Sequence, residues 1–164
     1  MGSPSVTLEA ELEDVQRLGT DTAPLIYFIE GHPEFGSLVR VVFERAEAGE
    51  LELFTSTLTL TEVLSHPLEK QADEIAKAYK TILLESPHLH VFDVDVRIAE
   101  TAAELRARYR LKTPDAIQIA VAIQAGCEAF LTNDKSHKRV QEVRVLFLGD
   151  FLAGQPLPPA PPLP

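Results

Sequence analysis

A single cysteine, Cys127, occurs among the 164 residues, which excludes an internal disulfide and a thiolate zinc cage. No apolar run approaches the ~20 residues that a membrane-spanning helix needs. The start Met1-Gly2-Ser3-Pro4 lacks the basic patch and apolar stretch of a secretory leader. Val6 stands where a myristoylation signal requires Ser or Thr. The expected setting is therefore cytoplasmic, with no membrane partner. Basic charge is also scarce: 15 Lys+Arg face 25 Asp+Glu, for a net charge of −10. Proteins that hold nucleic acid by general phosphate neutralisation are usually basic, so any nucleic acid here must be held locally or through metal ions. The glycines fit no phosphate-cradling loop, no Gly-x-Ser-x-Gly elbow is present, and no internal repeat is visible.

What remains is an ordinary globular composition, 45% hydrophobic and 24% charged. It is enough for one domain with a self-sufficient core. The ends differ from the middle. Residues 1–14 carry Glu9, Glu11, Glu13 and Asp14 without a basic residue and are expected to be a solvated acidic tail. Residues 153–164 hold six of the twelve prolines and are expected to be extended polyproline II, as a solvated end or a docking ligand. Residues 15–152 form the expected domain. Short strand signals at Val15–Thr20, Leu51–Thr55, His88–Phe92, Glu128–Thr132 and Val143–Leu148 alternate with helical stretches. The latter include Leu38–Ala48, a short helix capped near Ser56 or Thr57, a longer one opened by Pro67 and reaching about Leu84, Val96–Tyr109, and a helix started by Thr113-Pro114. With no tight hairpin signal between strands, the pattern predicts an α/β fold: a central parallel sheet of about five strands with helices on both faces.

In open sheets of that kind, functional groups gather beyond the carboxyl ends of the strands. Asp21 directly follows the first strand, and Asp134 follows the fourth by two residues. Glu62 lies on the helix after the second strand, and Asp115 in the first turn of the Thr113-Pro114 helix, where unpaired amides favour negative charge. Each alone is explained by capping or solvation. Together on one rim they are not. Carboxylates ~4 Å apart repel by roughly 4 kcal/mol per pair at an effective dielectric of 20, so a compensating Mg²⁺ or Mn²⁺ is expected among them. Beside Asp134 run Lys135, His137, Lys138 and Arg139, a local basic patch for phosphates; Arg106, Arg108, Arg110 and Lys112 lead to Asp115, either for phosphates or as ion pairs with Glu100 and Glu104.

The stretches Asp21-Thr22-Ala23-Pro24-Leu25-Ile26-Tyr27, Thr61-Glu62-Val63-Leu64, Thr113-Pro114-Asp115-Ala116 and Phe130-Leu131-Thr132-Asn133-Asp134 resemble, in order and spacing, a PIN-domain ribonuclease of the VapC-like toxin type. The resemblance covers about Val15 to Leu152. It implies a three-layer α/β/α fold and Mg²⁺- or Mn²⁺-dependent hydrolysis of RNA phosphodiesters. It implies Asp21, Glu62, Asp115 and Asp134 as catalytic metal ligands, with Thr22, Thr132 and Asn133 in support. It also implies a homodimer and a cognate antitoxin. Lys135, Lys138 and Arg139 are the expected RNA contacts.

Other readings stay open at this point. The same fold could serve as a binding or assembly module with little catalysis. Asp93-Val94-Asp95 matches the nucleophile and acid/base spacing of a phosphatase, or a strand-end turn with a helix cap. His88 and His90 share a strand face and are either zinc ligands or exposed strand histidines. Cys127, beside a strand, reads as core packing.

Overall fold

Strands of only four or five residues, each followed after at most three residues by a helical segment, leave little room for anything but parallel crossovers. The computed structural model describes residues 6–154. Their order is α1 (Leu8–Leu12), β1 (Arg17–Thr20), α2 (Thr22–Glu30), α3 (Gly36–Glu47), β2 (Glu52–Ser56), α4 (Thr57–Glu69), α5 (Asp73–Glu85), β3 (Leu89–Phe92), α6 (Val96–Tyr109), α7 (Thr113–Gln124), β4 (Ala129–Thr132) and β5 (Arg144–Phe147). Short 3₁₀ segments, Lys135–Arg139 and Leu148–Gly154, follow the last two strands.

The five strands form one sheet in the order β3-β2-β1-β4-β5, and every pair is parallel. Alternate strand residues face opposite layers. Leu18, Leu53, Ala129, Leu131 and Leu146 enter a core with α1, α2, α3 and α5. Phe130 and Val145 enter a second core with α6 and α7. The result is the expected α/β/α sandwich. The chain leaves β1 toward β2 and β3, then returns to the other side for β4 and β5. The strand order therefore reverses between β1 and β4, and crevices form at such reversals.

The structure corrects three sequence expectations. Residues 8–12 are not tail: Leu8 and Leu12, one helical turn apart, are 2% and 0% exposed in the first core, and Thr7 caps their helix. Pro67 does not open a helix; it sits near the end of α4, and α5 begins at Asp73 after Gln71 adopts a left-handed φ of 54°. The approach to Asp115 pairs not with Glu100 and Glu104 but with Glu142, which accepts from Arg108 at 2.8 Å and from the Tyr109 hydroxyl at 2.6 Å. The expected proline-rich tail lies, from residue 155 onward, outside the described residues.

Candidate metal centre

Parallel strands bring all their carboxyl ends to one rim, and the β1/β4 reversal concentrates polar side chains there. The Asp21 amide donates to Leu131 O at 2.9 Å, extending the β1–β4 ladder by one residue. Its carboxylate then caps α2, accepting from the Thr22 amide at 2.9 Å. The other carboxylate oxygen accepts from the Thr132 hydroxyl at the end of β4, at 3.0 Å. Asp134 caps the next 3₁₀ turn through Ser136, whose amide and hydroxyl donate at 2.9 and 2.6 Å. That turn swings His137 back under the rim. Asp115 arrives from the first turn of α7.

Asp21, Asp115 and His137 each offer a ligand atom, and the three atoms lie within 4.8 Å of one another. His137 Nε2 is 3.4 Å from Asp115 Oδ2 and 3.5 Å from Asp134 Oδ2. The structure thus brings Asp21 and Asp115 together, with Asp134 on the outer side of the imidazole. Glu62 stands apart from this triplet. It joins through Thr22, whose hydroxyl donates to Glu62 Oε1 at 3.0 Å.

Beneath Glu62 lies a buried polar floor. Ser56 Oγ donates to Gln118 Oε1 at 2.9 Å, and Gln118 Nε2 donates to Thr22 and Thr59 at 3.2 and 2.6 Å. Thr55 and Thr59 share a further hydrogen bond at 2.8 Å. These groups are almost fully buried, so each must find its partner inside the protein. Gln118, one helical turn after Asp115 on α7, thereby ties α4 and α2 to α7 and orients the hydroxyl that holds Glu62.

The electrostatics match a site crowded with negative charge. Burial pushes the Asp21 carboxyl above its ordinary pKa; the Thr22 amide, His137 and Thr132 pull it back, and the Asp115 charge adds to the rise. Partial desolvation also raises Glu62, with the Thr22 hydroxyl opposing and the Asp21 and Asp115 charges reinforcing. Asp134 moves the other way, lowered chiefly by its Ser136 hydrogen bond. Burial pushes the His137 imidazole down, but the neighbouring Asp115, Asp21 and Asp134 carboxylates outweigh it and the net shift is upward. Oxygen donors with one imidazole nitrogen are a fitting set for a divalent cation. Among all described residues, this is the one cluster of three metal-ligating side chains.

His137 is the residue that sequence reasoning misplaced. It was expected in an exposed basic patch, yet its side chain is 1% exposed. Of the patch, Lys138 is engaged by Asp150 at 2.7 Å, Arg139 Nε donates to Ser136 O at 3.0 Å, and Lys135 is exposed. Asn133 donates to the Tyr27 hydroxyl at 3.0 Å, fastening the end of β4 to α2 rather than reaching the triplet.

Elsewhere, Asp95 is occupied in capping α6, accepting from Ile98 N at 2.9 Å. His88 and His90 both bond to Glu52 on the adjacent strand, at 2.9 and 2.6 Å, and hold its carboxyl below the usual range. Burial pushes the Cys127 thiol up to about 12, which suits core packing and not a nucleophile. An apolar recess of about 280 Å³, lined among others by Phe28, Phe43, Leu53, Ile82 and Leu89, shares no residue with the acidic rim.

Comparison with known proteins gives a consistent fold. The sequence profile of the PIN domain matches residues 20–143. VapBC2 from Rickettsia felis, bound to a DNA fragment from its promoter, aligns with a TM-score of 0.62 at 17% identity, covering 80% of this chain and 98% of that one. A toxin–antitoxin complex from Klebsiella pneumoniae aligns at 0.60 and 23% identity, covering 81% and 98%. VapC20 from Mycobacterium tuberculosis, a Sarcin-Ricin loop cleaving toxin, aligns at 0.59 and 20% identity, covering 79% and 99%. No curated protein sequence matches the chain.

Proposed function

Because the chain belongs to the PIN-domain family, we propose that it is a divalent-metal-dependent endoribonuclease, the toxin of a toxin–antitoxin pair. The observation that carries this reading is the convergence of Asp21, Asp115 and His137 ligand atoms within 4.8 Å at the β1/β4 rim. Asp134 lies beside the imidazole, and Glu62 is tethered through Thr22. A binding module has no use for such clustered repulsion. The phosphatase alternative finds Asp95 consumed as a helix cap.

Asp21 and Asp115 would hold Mg²⁺ or Mn²⁺ directly, with Glu62 and Asp134 from either side, directly or through water. A cation held there supplies charge neutralisation at the scissile phosphate and lowers the pKa of water. The chain's own part is preorganisation. Thr132 and the Thr22 amide fix both oxygens of Asp21, so its orientation costs nothing when substrate arrives. The Gln118 floor does the same for Thr22 and, through it, Glu62. Lys135, Lys138 and Arg139 would meet flanking phosphates, Lys138 by exchanging Asp150 for RNA. An RNA substrate, an antitoxin covering the rim and a homodimer complete the reading, with a cytoplasmic site of action. Support for the antitoxin comes from the fold's likeness to chains solved as toxin–antitoxin complexes.

Incubation of total RNA with wild type and Asp115→Asn tests the proposal, each with Mn²⁺ or with chelator. Cleavage is expected only for wild type with metal, with the variant slower by about 100-fold or more. Added neighbouring-gene product should inhibit it. Cleavage that survives both chelator and the substitution would sink the metal mechanism.

A further inference from the structure

We propose that His137 is a nitrogen ligand of the cation at this rim and shifts the site's preference from Mg²⁺ toward first-row transition ions such as Mn²⁺. The inference rests on the metal-site reading above and adds a donor to it.

The ring is sealed from solvent, with a side-chain exposure of 1%, and it packs beside Phe130. Its Nε2 is buried with no hydrogen-bond partner. A buried polar atom left unpartnered in a native structure calls for an explanation such as a missing ion. This nitrogen does not face apolar packing. It points between two carboxylate oxygens, Asp115 Oδ2 at 3.4 Å and Asp134 Oδ2 at 3.5 Å.

The tautomer follows from the proton count at Thr132. That hydroxyl has one proton, and it lies 3.0 Å from Asp21 Oδ2, which as a carboxylate can only accept. Toward His137 Nδ1, 3.2 Å away, Thr132 must therefore act as acceptor. Nδ1 therefore carries a proton, and in the neutral imidazole, the form that binds a metal, Nε2 presents a bare lone pair. Three electron-rich ends thus converge, and a cation is what reconciles them. This arrangement is also how metal-ligating histidines are set up: the far nitrogen donates to a fixed acceptor, which locks tautomer and ring orientation. Here the same Thr132 hydroxyl fixes both Asp21 and His137.

The nitrogen matters for selectivity. Mg²⁺ demands oxygen ligands and retains its water. Imidazole favours transition ions, in the Irving–Williams order. Carboxylates alone would leave the choice to abundance, whereas a nitrogen donor among them biases it.

The test is pulsed EPR of the metal-stripped, full-length protein reloaded with Mn²⁺, reading ¹⁴N modulation from a coordinated imidazole. Wild type should show it. His137→Gln should lose it and bind Mn²⁺ about tenfold or more weakly, with its Mg²⁺ affinity, measured by competition, far less affected. The wild-type spectrum stands whether or not the variant folds, and His137→Asn provides a second substitution. Mn²⁺ bound by wild type without nitrogen coupling would overturn the role of His137 and leave the carboxylate site intact. Tighter Mn²⁺ binding by His137→Gln would also overturn it, marking the imidazole as a competitor of the metal. No Mn²⁺ binding by wild type would overturn both readings.

Discussion

Asp21 serves at once as the last rung of a strand ladder, the cap of α2 and the most enclosed carboxylate of the rim. The first role needs only its backbone amide and the second a side-chain oxygen acceptor; only the third needs charge. Asn keeps a capping oxygen and turns the Thr132 contact round, its amide donating to that hydroxyl, so Asp21→Asn chiefly removes the charge. The folded carboxyl stands above its unfolded value of about 3.9, raised first by burial. Its contribution to stability is then full below about pH 3.9 and is lost as pH rises through the folded value. At neutral pH and without divalent metal, Asp21→Asn should therefore melt higher than wild type, with the gap closing as the pH is lowered toward 4. Mn²⁺ should raise the wild-type Tm and leave the variant's unmoved. A variant that melts lower at pH 7 would show that the charge is not strained. Asp21 and Asp115 were legible from sequence because strand ends and helix starts are local. His137 was not, because it enters the site only through the 3₁₀ turn that follows Asp134. Glu52 as the common partner of His88 and His90 was hidden for a similar reason, since cross-strand neighbours are not neighbours in sequence.

At the scale of elements, α7 is the part whose position matters most, since it carries both Asp115 and Gln118. Its distance from the sheet is set by a missing side chain. A Cβ at Gly19 on β1 would lie 2.4 Å from the Ala122 Cβ and 3.1 Å from the Phe130 ring. Gly19→Ala should therefore push α7 outward and destabilise the protein by about 1–3 kcal/mol, the usual cost of overpacking. Ala122→Gly in the same chain should recover part of that loss, and a denaturant double-mutant cycle would measure the coupling. Additive losses would mean that the two sites do not meet. Strand and helix alternation made the sandwich readable, and Val96–Tyr109 is a helix over the span its pattern predicts. Pro67 was misread because proline's tolerance for a first turn was applied where the helix was already ending. The helix at Leu8–Leu12 was masked by its acidic neighbours, although the i, i+4 leucines were in view.

For the whole molecule, net charge limits how RNA could be held if the proposed function is right. At −10, few phosphates can be met by cations, and Lys135, Lys138 and Arg139 supply at most three near the rim. With a slope of about −0.7 per phosphate on single strands, two or three contacts predict a roughly 7- to 20-fold loss of RNA affinity between 50 and 200 mM salt. A fall of about a thousandfold or more over that range would point to a larger basic surface than these residues make.

The sheet order also has a meaning in time. Thr132 and Asp21 are partners at the rim yet lie 111 positions apart in the chain, because β1 waits in the middle of the sheet for β4. At about 5–20 residues per second, a ribosome makes Thr132 about 6–22 s after Asp21. Throughout that interval the nascent chain contains Asp21 but neither Asp134 nor His137. On the proposed function, a polypeptide that cuts RNA would leave this rim unassembled, beside the RNA that encodes it, until His137 has been made.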